Sequence, residues 1–222
     1  SSFEKFGTTS FSIVPKYFSV EGGIRPRVRN AMAITYSQAR MFKENFKENC
    51  TVSLYSRAVS NATIKYEGES TNPTATVFAA DENYLTYTNT QVSKGRGIGE
   101  TDMKTSSFVC VVGNGIVNSL FKNNEEPLGK IISVQGVRFE IVGVLESVGG
   151  AFGGSADSHV IIPIPAARGY FMGENSSFTI GVVPMEFDAD GDYQGKAEQV
   201  MRAVRRLSPI DETDFRISSS EA

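Results

Sequence analysis

Apolar residues recur along this chain with two periods, one of two and one of 3.6, and the changes between them mark its elements. The densest block runs from Phe108 to Leu145. Phe108-Val109-Cys110-Val111-Val112 is an unbroken apolar, β-branched run, which predicts a buried strand, and Gly113-Asn114-Gly115 stops it. A short helix follows, ending at Leu120-Phe121, and Lys122–Pro127 separates it from a strand at Lys130–Val134. Gln135-Gly136 fits a two-residue hairpin turn. Val137, Phe139 and Ile141 then return on one face, against Arg138 and Glu140 on the other.

Before this block, Ser10–Ser19 alternates well enough for a strand, with Pro15 pointing to an edge or a bulge. Thr35-Tyr36-Ser37-Gln38 reads as a capping box, opening a helix whose Ala39, Phe42 and Phe46 line one face and which ends near Asn49. Alternation on either side of Asn61 predicts a pair of antiparallel strands across Thr51–Tyr66. Glu67–Pro73 is a loop, and Thr74–Ala79 is a strand. Asp81–Thr88 reads as a short helix capped by Asp81, and Lys94–Asp102 as a Gly-spaced loop.

After the block, Val160–Ile164 predicts a strand, which Pro163 and Pro165 place at a sheet edge. A Gly-bearing junction at Arg168–Gly173 leads to a strand at Ser177–Val183. Asp192 caps a last helix over Gln194–Leu207, whose Ala197, Val200, Met201, Val204 and Leu207 form the apolar stripe. Asp214–Ile217 closes the chain as a strand. Helix-bearing ends around a β-rich middle give an α+β fold of two βαβ-like halves with an insertion. Residues 1–73 and 169–222 would form one discontinuous subdomain, and residues 74–168 the inserted one.

Composition narrows the function classes. A net charge of -3 and a pI near 5.4 supply no general attraction for nucleic acid, and the basic clusters Arg25–Arg29 and Arg202–Arg206 read as solvated faces. No apolar run approaches the ~20 residues of a bilayer crossing. The chain opens on Ser rather than Met, as an excised or processed piece would. Cys50 and Cys110 lack metal-site spacing, and a disulfide between them stays open in an oxidising compartment.

The chemistry-bearing patterns each fall short. Gly113-x-Gly115 lacks the third glycine of a dinucleotide fingerprint, and the acidic residue expected about 20 positions on is missing. Gly95-x-Gly97-x-Gly99 has no strand before it. His159 is the sole histidine, so any Ser- or Cys-based triad would depend on it. Asp188-x-Asp190-Gly191-Asp192 fails as a calcium loop, since positions 193 and 199 are Tyr and Gln, and reads as a helix-capping turn. No catalytic, cofactor or metal residue is singled out.

The block then carries a resemblance. Val111–Gly113, Leu120-Phe121, Pro127-Leu128-Gly129-Lys130 and Val142-Gly143-Val144-Leu145 resemble, in order, the extracytoplasmic (periplasmic) core domain of MacB/FtsX-type ABC transporter permeases. Lys94-Gly95-Arg96-Gly97-Ile98 with Thr101-Asp102 is similar to that family's Gly-Arg loop. Gly97 departs from it where an aromatic is usual. His159–Pro163, Asp214-Phe215 and Phe3–Gly7 are similar to its late strand, its exit and its entry.

The resemblance implies a porter-like subdomain from the two ends and a sabre-like, β-rich subdomain from the middle. It implies a transmembrane helix on each side in the parent, on the periplasmic face of the inner membrane. ATP is then hydrolysed by a separate cytoplasmic domain, and this domain holds no cofactor. The work would be efflux with an adaptor protein, lipoprotein release or control of a cell-wall hydrolase, with two copies pairing in the parent. Phe152 and Gly153, on the Gly-rich stretch 149–155, are the expected partner contact. A periplasmic enzyme with an unrecognised site, or a free-standing ligand-binding protein, remains the alternative.

Overall fold

The computed structural model describes residues 10–16, 33–147, 155–185 and 191–219. In chain order its elements are β1 (Phe11–Pro15), α1 (Tyr36–Asn45), β2 (Cys50–Ala62), β3 (Ile64–Tyr66), β4 (Glu69–Ser70), β5 (Ala75–Ala80) and α2 (Tyr84–Tyr87). Then come β6 (Val92–Gly95), α3 (Glu100–Thr105), β7 (Val109–Val112), α4 (Asn114–Leu120), β8 (Ile131–Val134) and β9 (Val137–Leu145). After a 3-10 turn at Ser155–Ser158 follow β10 (His159–Pro163), α5 (Ile164–Tyr170), β11 (Thr179–Pro184), α6 (Tyr193–Val204) and β12 (Phe215–Ser219).

The α+β class holds. The chain forms two compact units, Ser1–Leu54 with Glu174–Ala222, and Tyr55–Gly173. These breaks differ from 73/74 and 168/169. The first lies inside β2, which is one continuous strand and not the expected antiparallel pair, because Asn61 takes a left-handed φ of 53° as an irregularity within it. The second follows α5, an unforeseen helix that Pro165 starts rather than obstructs.

In the first unit β1 lies between β12 and β11, antiparallel to both, with Phe11 opposite Val182 and Ser219. Pro15 is therefore at a strand end, not on a sheet edge. The capping box forms as expected: Gln38 N–H donates to Thr35 Oγ1 and Thr35 N–H to Gln38 Oε1, both at 3.2 Å. α1 buries Ala39 and Phe42, and Phe42 stacks on Phe46 at 5.1 Å. α6 buries Ala197, Met201 and Val204, three members of its predicted stripe.

In the second unit the order is β2-β5-β10-β7-β9-β8-β3-β4, with β6 also pairing with β9. β10 is central, parallel to β5 and antiparallel to β7, which overturns its edge placement. Pro163 ends that strand, where its missing N–H interrupts no ladder further along. Strand β7 pairs parallel with β9, Cys110 opposite Ile141, so α4 lies within a crossover that the intervening hairpin disguises. Val109 and Val111 join a cluster with Tyr84, Ile98, Leu145 and Ile161. The alternate residues Cys110 and Val112 are fully buried too, as a strand covered on both faces requires. Gln135 and Gly136 have φ of 47° and 82°, the double positive of a type I′ hairpin turn.

Candidate functional site

Each pattern that looked like chemistry resolves into a local structural device. Gly113 N–H donates to His159 O at 2.8 Å, tying the end of β7 to β10. A Cβ on Gly113 would overlap Ala156 O and stand 2.5 Å from Asp157 O, and one on Gly115 would stand 2.8 Å from Asp157 O. The backbone of the 155–158 turn thus fills the space a phosphate would need. Both glycines are there for close backbone approach. Asp157 Oδ1 is buried and unpartnered beside this turn, while its Oδ2 accepts from Ser147 Oγ at 3.4 Å.

The Gly95–Gly99 loop does follow a strand, β6, contrary to expectation. Its Arg96 grips Asp102 with both guanidinium arms, Nη1 to Oδ2 at 2.6 Å and Nη2 to Oδ1 at 3.2 Å. Asp102 Oδ2 also accepts Gly99 N–H at 2.8 Å, so the carboxylate caps its own helix α3. The Arg96 hydrogen bond holds the Asp102 carboxyl below its usual range. Arginine and aspartate of the family-like loop are therefore the two halves of one clip.

His159 is half-buried, edge-on to the Phe78 ring at 4.8 Å, with Arg57 on Phe78 at 6.0 Å. Burial, and then Arg57, push its pKa down. Cys50 and Cys110 are both free thiols. Burial raises Cys50 to about 11 and raises Cys110 further, which leaves both as poor nucleophiles. Asp192 caps α6 by accepting Gly195 N–H at 2.9 Å. Asp188 and Asp190 lie outside the described residues, among which no His, Cys, Asp and Glu group could hold a metal.

The basic helix end is not a plain solvated face. Arg205, with its side chain 1% exposed, donates to Ala33 O and Gln38 Oε1 at 2.8 Å and pairs with Asp214 at 3.1 Å. Arg202 donates to Ser208 O and Asp211 O. An Arg at a helix C-terminus suits the dipole, but nothing in its spacing announced that it would be buried. Arg25–Arg29 and the expected contact residues Phe152 and Gly153 lie outside the described residues.

What the second unit presents instead is an aromatic surface. Phe108 and Tyr170 are 42% and 62% exposed and meet edge-to-face at 5.6 Å. Phe108 rests on buried Phe139, and Phe171 lies beside both Phe139 and Tyr170. Exposed rings over a buried ring form an apolar aromatic surface of the kind that protein interfaces use. The apolar run places Phe108 in the buried strand, and the glycines of Arg168–Gly173 signal a junction where helix α5 ends at Tyr170, so neither exposed ring has a local signal.

Residues 1–204 match the family model described as MacB-like periplasmic core domain. A pyoverdine export ATP-binding/permease protein of Pseudomonas fluorescens is 25% identical over 143 residues, which are 64% of this chain and 21% of that protein. A macrolide export ATP-binding/permease protein of Rhodospirillum rubrum is 31% identical over 116 residues, 50% of this chain and 17% of that one. The chain thus spans about a fifth of the length of the curated relatives it matches. The periplasmic region of MacB from Actinobacillus actinomycetemcomitans shares the fold with a TM-score of 0.74 at 19% identity, covering 96% of this chain and 90% of that one. The extracellular domain of the ABC-type transporter YknZ from Gram-positive bacteria gives 0.69 at 16% identity, covering 94% and 99%.

Proposed function

This chain belongs to the MacB-like periplasmic core domain family, and from that membership we propose that it is the extracytoplasmic, non-catalytic part of an ABC transporter permease. The observation that carries the proposal is the family match over residues 1–204, joined to a fold shared with two transporter domains. No helix among the described residues is long and apolar enough to cross a membrane. In the proposal, membrane helices and the ATPase belong to other parts of the parent, and ATP binds there. The domain receives movement from those helices and passes it to a periplasmic partner or substrate.

The internal construction suits that role. Arg96–Asp102 and Arg205–Asp214 clip helix ends within their units, and the 155–158 backbone locks the Gly113 turn. Such restraints let each unit move as a body and not deform. The export proteins among the relatives favour efflux over lipoprotein release or hydrolase control. Two copies would pair in the parent, and the partner would meet the Phe108–Tyr170 surface or the residues Phe152 and Gly153. The proposal is tested in the parent protein, reconstituted in proteoliposomes, with residues 55–173 replaced by a short Gly-Ser linker. Basal ATP hydrolysis should persist while export stops; export at the unmodified rate would refute the assignment.

A further inference from the structure

A separate face of the second unit has the makings of a ligand site. Strands β3, β8 and β9 lie side by side, with Lys65 opposite Ser133 and Ser133 opposite Arg138. Directly opposed residues of antiparallel strands share a face, so these three form one row. Their chain neighbours Ile64, Tyr66, Ile132 and Val134 are buried, which leaves the row on the solvent side. Together with Lys130, Glu67 and Gly136 the row lines an open concavity of about 610 Å³.

Charge singles this concavity out. Its lining carries three cations and one carboxylate, in a chain of net charge -3. Lys130 is answered by Glu125 at 3.3 Å, and that carboxylate also accepts the Tyr66 hydroxyl at 2.7 Å. Neither Lys65 nor Arg138 has an ion pair among the described residues, although Glu140 stands two positions along β9 on the same face. A Cβ at Gly129 or Gly136 would meet nothing within 4 Å, so the rim is open.

We propose that this row is an oxyanion site that binds a phosphate group. Adjacent strands are about 4.8 Å apart, so Lys65 and Arg138 are rooted about 10 Å from each other with the Ser133 hydroxyl between them. Both side chains are long enough to converge over that hydroxyl. An ammonium, a guanidinium fork and a hydroxyl coming from three strands need acceptors spread in three directions. A tetrahedral phosphate offers them, whereas a planar carboxylate has only two oxygens, lying in one plane and both engaged by the arginine fork. The phosphate could be carried by a lipid headgroup or by a soluble molecule, and the chemistry of the row is the same for both.

The test is an amide NMR titration of the ¹⁵N-labelled chain with inorganic phosphate at constant ionic strength, with sodium chloride as the matched control. Saturable shifts are expected at Lys65, Ser133 and Arg138. The double variant K65A/R138A should weaken binding at least tenfold with an unchanged melting temperature, since both side chains are exposed. Flotation with phosphatidylcholine vesicles, plain or doped with phosphatidylglycerol, identifies the source. Capture by the doped vesicles that K65A/R138A abolishes supports a headgroup, and phosphate binding without capture supports a soluble phosphate. Shifts that do not saturate, or that persist unaltered in K65A/R138A, overturn the site.

Discussion

Replacing Gly113 with Ala isolates one contact. Gly113 has φ of -68°, a value any residue adopts, so the backbone raises no objection to a side chain there. The added Cβ would nevertheless overlap Ala156 O and stand 2.6 Å from the Asp157 carbonyl carbon, where carbon atoms pack at about 3.5–4.0 Å. The obstructing atoms are backbone, so either the 155–158 turn or the start of α4 has to move. Overpacking of this kind costs about 1–3 kcal/mol, and rigid backbone neighbours argue for the upper end. Against it stands about 0.4–1 kcal/mol from the stiffer unfolded chain. The net loss should be about 2 kcal/mol, or a fall in Tm of about 4–8 °C for a chain of this size. Gly169→Ala is the matched control. That glycine lies in α5 with nothing within 4 Å of its missing Cβ, so alanine should stabilise by about 1 kcal/mol. Urea and thermal unfolding followed by circular dichroism measure both. A Gly113→Ala variant as stable as the parent chain would refute the close approach of turn and strand end, and with it the account of why Gly-Asn-Gly stands there.

Three further outcomes are expected. Phe121, 7% exposed and with its ring 4.5 Å from that of Tyr66, should cost about 3–5 kcal/mol when cut to Ala; unchanged urea unfolding would deny it that role. Arg205→Ala leaves Asp214, Gln38 and Ala33 O without their shared donor, and because Asp214 is a third exposed the loss should be about 3 kcal/mol, read from the unfolding midpoint. The pH profile should carry the mark of His159. Its folded-state pKa lies below the ordinary value, so the unfolded chain takes up the proton first, and stability falls as pH drops below about 6.5 until the folded pKa is passed. Stability measured from pH 7.5 downward should lose that slope in His159→Gln, and an identical slope would assign it to another group.

How much of this was legible depends on whether the signal was local. The Thr35–Gln38 box, the Asp192 cap and the Gln135-Gly136 turn are written within four residues, and each formed as expected. The continuous β2 was missed because Asn61 signals a turn, yet here it absorbs a left-handed kink inside a strand. Helix α3 was hidden by the glycines that precede it, Gly95, Gly97 and Gly99. It is six residues long and is held by a carboxylate from within, with no apolar stripe to reveal it. The prolines near β10 suggested an edge because their exact ladder positions depend on partners far along the chain. The same holds for the sites. Arg96 and Asp102 could be seen as a pattern but not as a pair, and the burial of Arg205 depends on Ala33, 172 residues away. The Lys65–Ser133–Arg138 row exists only through the register of three strands, which no local period encodes.

The proposed domain moves in step with ATP hydrolysed elsewhere in a paired parent protein, and one distance reads that coupling directly. Ile210 is 93% exposed in the first unit and can carry a spin label as Ile210→Cys, with Cys50→Ser removing the half-buried thiol and Cys110 sealed in the core. Pulsed dipolar spectroscopy on the reconstituted parent then reads the distance between the two copies' labels, without nucleotide and with ATP trapped. Coupled movement of two copies gives a measurable distance in both states and a shifted distribution between them. Superimposable distributions, or no dipolar coupling at all, would contradict it.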